Sequence, residues 1–274
     1  MANSYCTVRG TVYVMKKIAL GIEYDGSAYN GWQKQKHGYG VQQAVEKAIS
    51  IVADHQVDVV CAGRTDTGVH ALGQVIHFET SADRSQRSWV LGTNANLPKD
   101  ISVHWAQNVG EKFHARFSAL SRRYQYIILN QFSRPAVLSK RVTWQGKPMD
   151  VGIMSEAAKS LIGEHDFSSY RAVACQAKSP IRTIYELDVI QQGQFICINI
   201  HANAFLHHMV RNIAGVLIAI GTGEQSPKWA AEVLAHKDRK LGGVTASPDG
   251  LYFTNVEYPD EFNIPNTCGV GIMA

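Results

Sequence analysis

The chain has 274 residues, 45% hydrophobic and 18% charged, a balance that suits a packed globular protein and excludes a disordered tail, a collagen or a coiled coil. Its 27 Lys and Arg against 23 Asp and Glu leave a formal net charge of +4. No run of about 18 apolar residues occurs, so no membrane span is expected.

Met1 to Met15 is mixed and polar and lacks the apolar core of a signal peptide. Residues 1–16 therefore read as an N-terminal extension, with the first strand near Lys17. Ile18 to Tyr24 is apolar and alternating and stops at Asp25-Gly26, a strand that enters a turn. Val41, Ala44, Val45, Ala48, Ile49 and Val52 recur at three and four residues, the spacing of an amphipathic helix. Val57 to Cys61 is a second strand, which runs into Gly63-Arg64-Thr65-Asp66-Thr67-Gly68. Gln74 to Phe78 resumes as a strand. A short helix around Ser88 to Gly92 and a strand at Ile101 to Trp105 come next.

The second half opens with the strand Tyr124 to Leu129. Met154, Ala157, Ala158, Leu161 and Ile162 mark a helix, and Ile184 to Val189 and Phe195 to Ile200 are strands. A helix is expected over Ala204 to Ile220, and a shorter one over Pro227 to Leu234 with Ser226 and Pro227 as its start signals. Leu251 to Val256 closes as a strand. This order predicts an α+β protein of two related lobes, 17–112 and 113–260, with a tail over 261–274.

Charge is more informative once located. From Lys112 to Met149 there are eight basic residues and no Asp or Glu, leaving 19 basic against 23 acidic residues elsewhere. The same segment holds Phe113, Phe117, Tyr124, Tyr126, Phe132 and Trp144. Basic side chains among aromatics suit a nucleic-acid surface, where phosphates and base faces are the partners. A solvated surface with chance clustering would show the same composition. The five cysteines, Cys6, Cys61, Cys175, Cys197 and Cys268, are odd in number and scattered, without a C-x-x-C pair. That favours neither a disulfide framework nor a cysteine zinc site, and suits a reducing cytoplasm. Cys61 and Cys197 fall in strand-like runs and read as core residues.

Asp66 is the carboxylate best placed for chemistry. Gly63 and Gly68 bracket it, and Arg64 precedes it by two residues. Glycines permit a sharp bend and close approach by a ligand. A carboxylate beside an arginine stays ionised, which suits a nucleophile or charge stabiliser. An Asx turn is the plain alternative. Asp66-Thr67-Gly68 also spells the aspartic-protease tripeptide, although the second carboxylate that such an enzyme needs has no matching motif here. Asp66, His70 and His77 could in principle ligate a metal, but their spacing matches no metal signature. On the helix expected over Ala204 to Ile220, His207 and His208 stand four and three residues before Arg211 and would share a polar face with it. An arginine among apolar neighbours calls for an anionic partner; a surface salt bridge and a reach to Asp66 both satisfy that.

At these residues the sequence resembles the tRNA pseudouridine synthase I family. Four blocks carry the likeness: Tyr24-Asp25-Gly26 through Gly31-Trp32-Gln33, Gly63 through Ala71, Phe113-His114-Ala115-Arg116-Phe117 through Arg122-Arg123-Tyr124-Gln125-Tyr126, and Asn203-Ala204-Phe205-Leu206 through Met209-Val210-Arg211-Asn212. They span about Lys17 to Tyr258 in order. Thr67 departs from the pattern, since alanine is common there.

The resemblance implies a mixed, mainly antiparallel sheet formed by two ferredoxin-like α/β subdomains with a central basic catalytic cleft. It implies isomerisation of uridine to pseudouridine at positions 38, 39 and 40 in the anticodon stem and loop of transfer RNA, by a homodimer and without a cofactor or metal. Asp66 would be the nucleophile, attacking either the uracil ring or ribose C1′. Tyr124 would stack on the target base and help remove the C5 proton. Arg211 would pair with the catalytic carboxylate, and Arg64 would help hold the flipped nucleotide. A non-catalytic RNA-binding protein with the same basic groove is the contrasting expectation.

Overall fold

The apolar run from Ile18 to Tyr24 forms a strand flanked on both edges, and the first half of the chain is built outward from it. The computed structural model describes residues 5–8, 11–35 and 37–265. Within the expected extension, two short strands, β1 (Tyr5–Val8) and β2 (Thr11–Val14), pair antiparallel, so strand structure begins before Lys17. Residues 1–4, 9–10 and 266–274, the last comprising most of the expected tail, lie outside the described ones. Contacts gather the described residues into two units. One comprises the chain up to Leu120 together with Asn255 onward, and the other comprises Ser121–Thr254.

In the first unit, β3 (Lys16–Tyr24) is succeeded by α1 (Val41–Ala53), β4 (Val60–Cys61), β5 (His70–Thr80), α2 (Gln86–Asn96) and β6 (Ile101–Val109). The strand order is β6-β3-β5, with β4 paired to β5, and every pairing is antiparallel. Ile18, Ala19, Leu20 and Ile22 are all buried, because β3 has a strand at each edge and is covered on both faces. α1 buries Val41, Ala44, Val45, Ala48 and Ile49, the stripe its spacing predicts. Asp54, in the left-handed conformation, ends it. α2 is longer than expected. It buries only Trp89 and Thr93, so its sequence carries almost no apolar period. Ser85 starts it by accepting the Ser88 N–H.

The connection after β3 runs directly against the segment that holds Asp66. Gly31 has φ +83, and a Cβ there would come within 2.6 Å of the Thr65 carbonyl oxygen. Only glycine adopts that conformation while letting two backbones approach so closely.

The second unit holds β7 (Ser121–Asn130), β8 (Thr143–Gln145), α3 (Val151–Ala158), β9 (Gly163–Asp166), β10 (Ile181–Gln192), β11 (Phe195–Ala202), α4 (Met209–Gly221), α5 (Trp229–His236) and the first residues of β12 (Leu251–Glu257). The order is β12-β7-β11-β10-β9, with β8 parallel to β7. β7–β11, β11–β10 and β10–β9 are antiparallel. The short strands β8 and β9 escape sequence reading because they have too few residues to show alternation.

Two expected helices begin later than their signals suggest. α4 starts at Met209, not Ala204, because His208 takes a left-handed φ of 63 at the N-cap. Asn203 also holds the preceding segment out of the helix, its Oδ1 accepting the N–H groups of Ala204 and Thr183. α5 starts at Trp229, where the Ser226 carbonyl accepts the Trp229 N–H, leaving Pro227 in the turn ahead of it. Cys61 and Cys197 are buried free thiols on strands, as expected. Among the described residues, no helix is long and apolar enough to cross a membrane.

Gly31→Ala is expected to lower unfolding stability by about 1–3 kcal/mol, through left-handed strain and the clash with Thr65. Gly110→Ala, where a Cβ meets no heavy atom within 4 Å, should stay within about 0.5 kcal/mol of wild type. Urea denaturation of both variants checks this, and equal stabilities would refute the close approach.

Candidate active site

The Asp66 loop leaves β4 and is anchored at once. The Ala62 N–H donates to the Val75 carbonyl at 2.8 Å. Gln74, fully buried, then acts as an extra strand partner. Its Nε2 donates to the Gly63 carbonyl at 2.6 Å, and its Oε1 accepts the Gly63 N–H at 3.3 Å.

The connection after β3 grips the loop from its other side. Trp32 N–H donates to Thr65 O at 3.0 Å, Gly68 N–H to Tyr29 O at 3.4 Å, and Tyr24 Oη lies 2.8 Å from Thr65 Oγ1. The Asp66 carbonyl closes its own turn by accepting the Val69 N–H at 3.1 Å. Tyr24 and Trp32 are buried, with ring centroids 5.9 Å apart. Asp66 is left half-buried between exposed Arg64 and exposed Thr67.

Sequence reasoning gave Tyr24, Gly31 and Trp32 no role, although the first matching block contains them. The available signal was Gly31 itself, a glycine between two larger side chains just after a strand.

The two histidines weighed with Asp66 as metal ligands are turned to backbone amides. His70 Nδ1 accepts the Gly26 N–H at 3.1 Å and lies 3.2 Å from the Asp25 carboxylate. His77 Nδ1 accepts the Ala115 N–H at 3.1 Å, and burial, with help from His114 and Lys17, lowers its pKa to about 4. Each imidazole serves packing. Cys61 at the root of the loop is likewise inert: burial pushes its thiol up to about 12, against the opposing charges of Arg64 and Arg116.

The second unit carries Tyr124 and Arg211. Tyr124 lies on β7 opposite Ile200 of β11 and is half-buried. Its ring meets Phe205 edge-on at 4.9 Å and Phe253 at 5.0 Å, two aromatic supports not singled out from the sequence. Arg211 sits in the first turn of α4. Its Nε donates to Ala246 O at 2.8 Å, and the Ala246 N–H returns a bond to Arg211 O at 3.1 Å. Gly215 permits this, since a Cβ there would fall 1.8 Å from Val244 O. Asn212, buried on the same turn, donates to Tyr170 O and accepts from Thr245 Oγ1 and Arg239 Nη2, fixing the segment that holds Arg211. His207 precedes the helix, so the helical i, i+4 relation expected with Arg211 does not form. Its ring instead lies 4.1 Å from that of His208.

Of the eight basic residues in the basic segment, Arg122 and Arg123 are half-buried and the other six are exposed. Arg122 Nη1 donates to Asn203 O at 3.1 Å, Arg123 pairs with Glu186 at 2.6 Å and Lys147 with Glu224 at 2.8 Å. The exposed six are Lys112, Arg116, Arg134, Lys140, Arg141 and Lys147. Phe113 and Tyr126 are core residues, whereas Phe117, Phe132 and Trp144 face solvent.

A family model described as tRNA pseudouridine synthase matches residues 21–118 and 157–259. Arg64, Asp66 and Arg211 lie inside these spans, and Tyr124 lies between them. A tRNA pseudouridine synthase A from Nitrosococcus oceani is 59% identical over 249 residues, covering 91% of this chain and 96% of the relative. The proteins of the same name from Pseudomonas aeruginosa and Alcanivorax borkumensis are 57% and 53% identical, each aligned over 92% of this chain and over 88% and 95% of their own lengths. The chain belongs to the tRNA pseudouridine synthase family.

Proposed function

We propose that this protein isomerises uridine to pseudouridine at positions 38, 39 and 40 in the anticodon stem and loop of tRNAs, with Asp66 as nucleophile and no cofactor. The observation that carries this reading is the Asp66 loop itself: a half-buried carboxylate held from both sides by backbone bonds, in a chain of this family. A rigid loop presents the carboxylate without reorganisation at the moment of reaction.

The carboxylate attacks either the uracil ring or ribose C1′, and the bond between N1 and C1′ breaks. The base turns within the site, a bond forms between C5 and C1′, and the bond from Asp66 to the nucleotide breaks, which returns the free carboxylate. C5 gives up its proton and N1 ends protonated. Atoms and electrons balance within the nucleotide, so no co-substrate enters.

Extruding a stacked base costs a few kcal/mol. Stacking on Tyr124 recovers about 1–3 kcal/mol of this. Phe205 and Phe253 support that ring, and Tyr124 is the candidate for taking the C5 proton. Arg64, exposed two residues before Asp66, suits a phosphate or the flipped nucleotide, and Arg211 keeps the role the resemblance gives it. The working form is a cytoplasmic homodimer.

Asp66→Asn and Asp66→Ala are expected to reduce pseudouridine formation by roughly 1,000-fold or more while tRNA binding is largely kept. Site-resolved mapping on unmodified tRNA, with wild type as reference, checks both the residue and the three positions. Substantial turnover by either variant removes Asp66 as nucleophile. Tyr124→Phe keeps the stacking face and should lose about 100-fold in kcat with KM little changed. Near-normal kcat would take the hydroxyl out of proton transfer. Sedimentation equilibrium should return twice the protomer mass, and a monomer at working concentration would refute the dimer.

A further inference from the structure

Beside the Asp66 loop, the first unit carries a ladder of rings that runs from its core to its surface. His77, on β5 opposite Val60 of β4, is the buried rung. The His114 ring lies 4.8 Å from it, and the Phe117 ring stacks on His114 at 4.3 Å with the planes 26° apart. Phe117, the last rung, is 77% exposed.

Its mount is rigid. His114 Nδ1 accepts the N–H groups of Arg116 and Phe117 at 3.2 and 3.1 Å. The His114 N–H donates to Ser118 Oγ at 3.0 Å, and the Ser118 N–H returns a bond to His114 O at 2.9 Å. A tight turn thus holds a large apolar ring out in water, opposite to what burial alone favours. Burial, together with the positive charge of Lys17 and Arg116, lowers the His114 pKa, so this rung stays neutral near pH 7.

Two further observations say what the ring faces. Arg116 lies with its Cζ 5.5 Å from the Phe117 centroid. His77, the inner rung, pairs in register with Val60, one residue before Cys61 at the root of the Asp66 loop, which places the inner end of the ladder beside that loop within one unit. No carboxylate side chain occurs between Lys112 and Met149. A flat apolar face beside a guanidinium, on a segment without carboxylates, matches an unpaired base and its phosphate.

We propose that Phe117 is a stacking platform for an unpaired nucleobase of the RNA substrate near the target uridine, with Arg116 taking an adjacent phosphate. This rests on the reading of the chain as an enzyme acting on the anticodon stem-loop. Phe117 acts as a positioning residue and takes no part in the bond changes.

The test compares wild type, Phe117→Ala, Phe117→Leu and Phe117→Trp on a synthetic anticodon stem-loop, unlabelled and with 2-aminopurine at single unpaired positions. Because the ring is exposed, all four proteins should fold alike. The expected result is a rise of about 5- to 100-fold in Kd and KM for Ala and Leu, with kcat falling far less, and near-wild-type values for Trp. Quenching of 2-aminopurine at one loop position should occur with wild type and Trp and vanish with Ala and Leu. Unchanged Kd and KM in Phe117→Ala overturn the proposal. So does a lower sedimentation mass for that variant with unchanged RNA affinity per protomer, which would assign the face to a second copy of the chain. If wild type forms no pseudouridine, the enzyme reading fails, while the Kd and quenching comparisons still decide the role of Phe117.

Discussion

The construction of the site depends on one close approach of backbones. The connection after β3 meets the Asp66 loop so tightly that Gly31 has no room for a Cβ, and the bonds from Trp32 N–H to Thr65 O and from Gly68 N–H to Tyr29 O form across that contact. A loop of seven or eight residues would otherwise sample many conformations at about 1–2 kcal/mol of backbone entropy per residue. Buried Tyr24, Trp32 and Gln74 bear that cost together, since each spends a polar group on the loop while its body packs in the core. The result is a carboxylate on irregular backbone whose loop is hydrogen-bonded from both sides.

The second unit uses the same device with different parts. Arg211 belongs to a helix, yet its guanidinium is steered by Ala246, from the segment that Gly215 lets settle against α4. Tyr124 belongs to a strand, yet its ring is set by Phe205 ahead of α4 and Phe253 on β12. In both units the candidate residue comes from one segment and the groups that hold its side chain or its loop come from another, distant in sequence. That arrangement places a group accurately without relying on its own rotamer preference.

The charge of the molecule has a comparable division of labour. Arg122 and Arg123 sit in the densest basic stretch of the chain, but they serve Asn203 and Glu186. The exposed members, Lys112, Arg116, Arg134, Lys140, Arg141 and Lys147, accompany in sequence the aromatics that remain in solvent, Phe117, Phe132 and Trp144. Sorting in this way concentrates the capacity for phosphate and base contact on fewer residues than composition suggests.

The sequence by itself determined the strands around Ile18, Gln74, Tyr124 and Phe195, the helix from Val41, and the Asp66 loop between its glycines. Each is encoded locally, by alternation, by a three-and-four spacing or by a turn residue beside a strand. The same local signals did not reveal β8, β9 or the extent of α2, which bury too few side chains to show a period. They also placed the start of the last long helix at Ala204, because neither the left-handed turn at His208 nor the hold of Asn203 on Thr183 is written in hydrophobic spacing. Only the tertiary structure decided that His70 and His77 serve backbone amides, that Phe113 is core while Phe117 is exposed, and that Gly31 and Thr65 touch. Those facts depend on contacts between segments tens of residues apart, which no window along the chain contains.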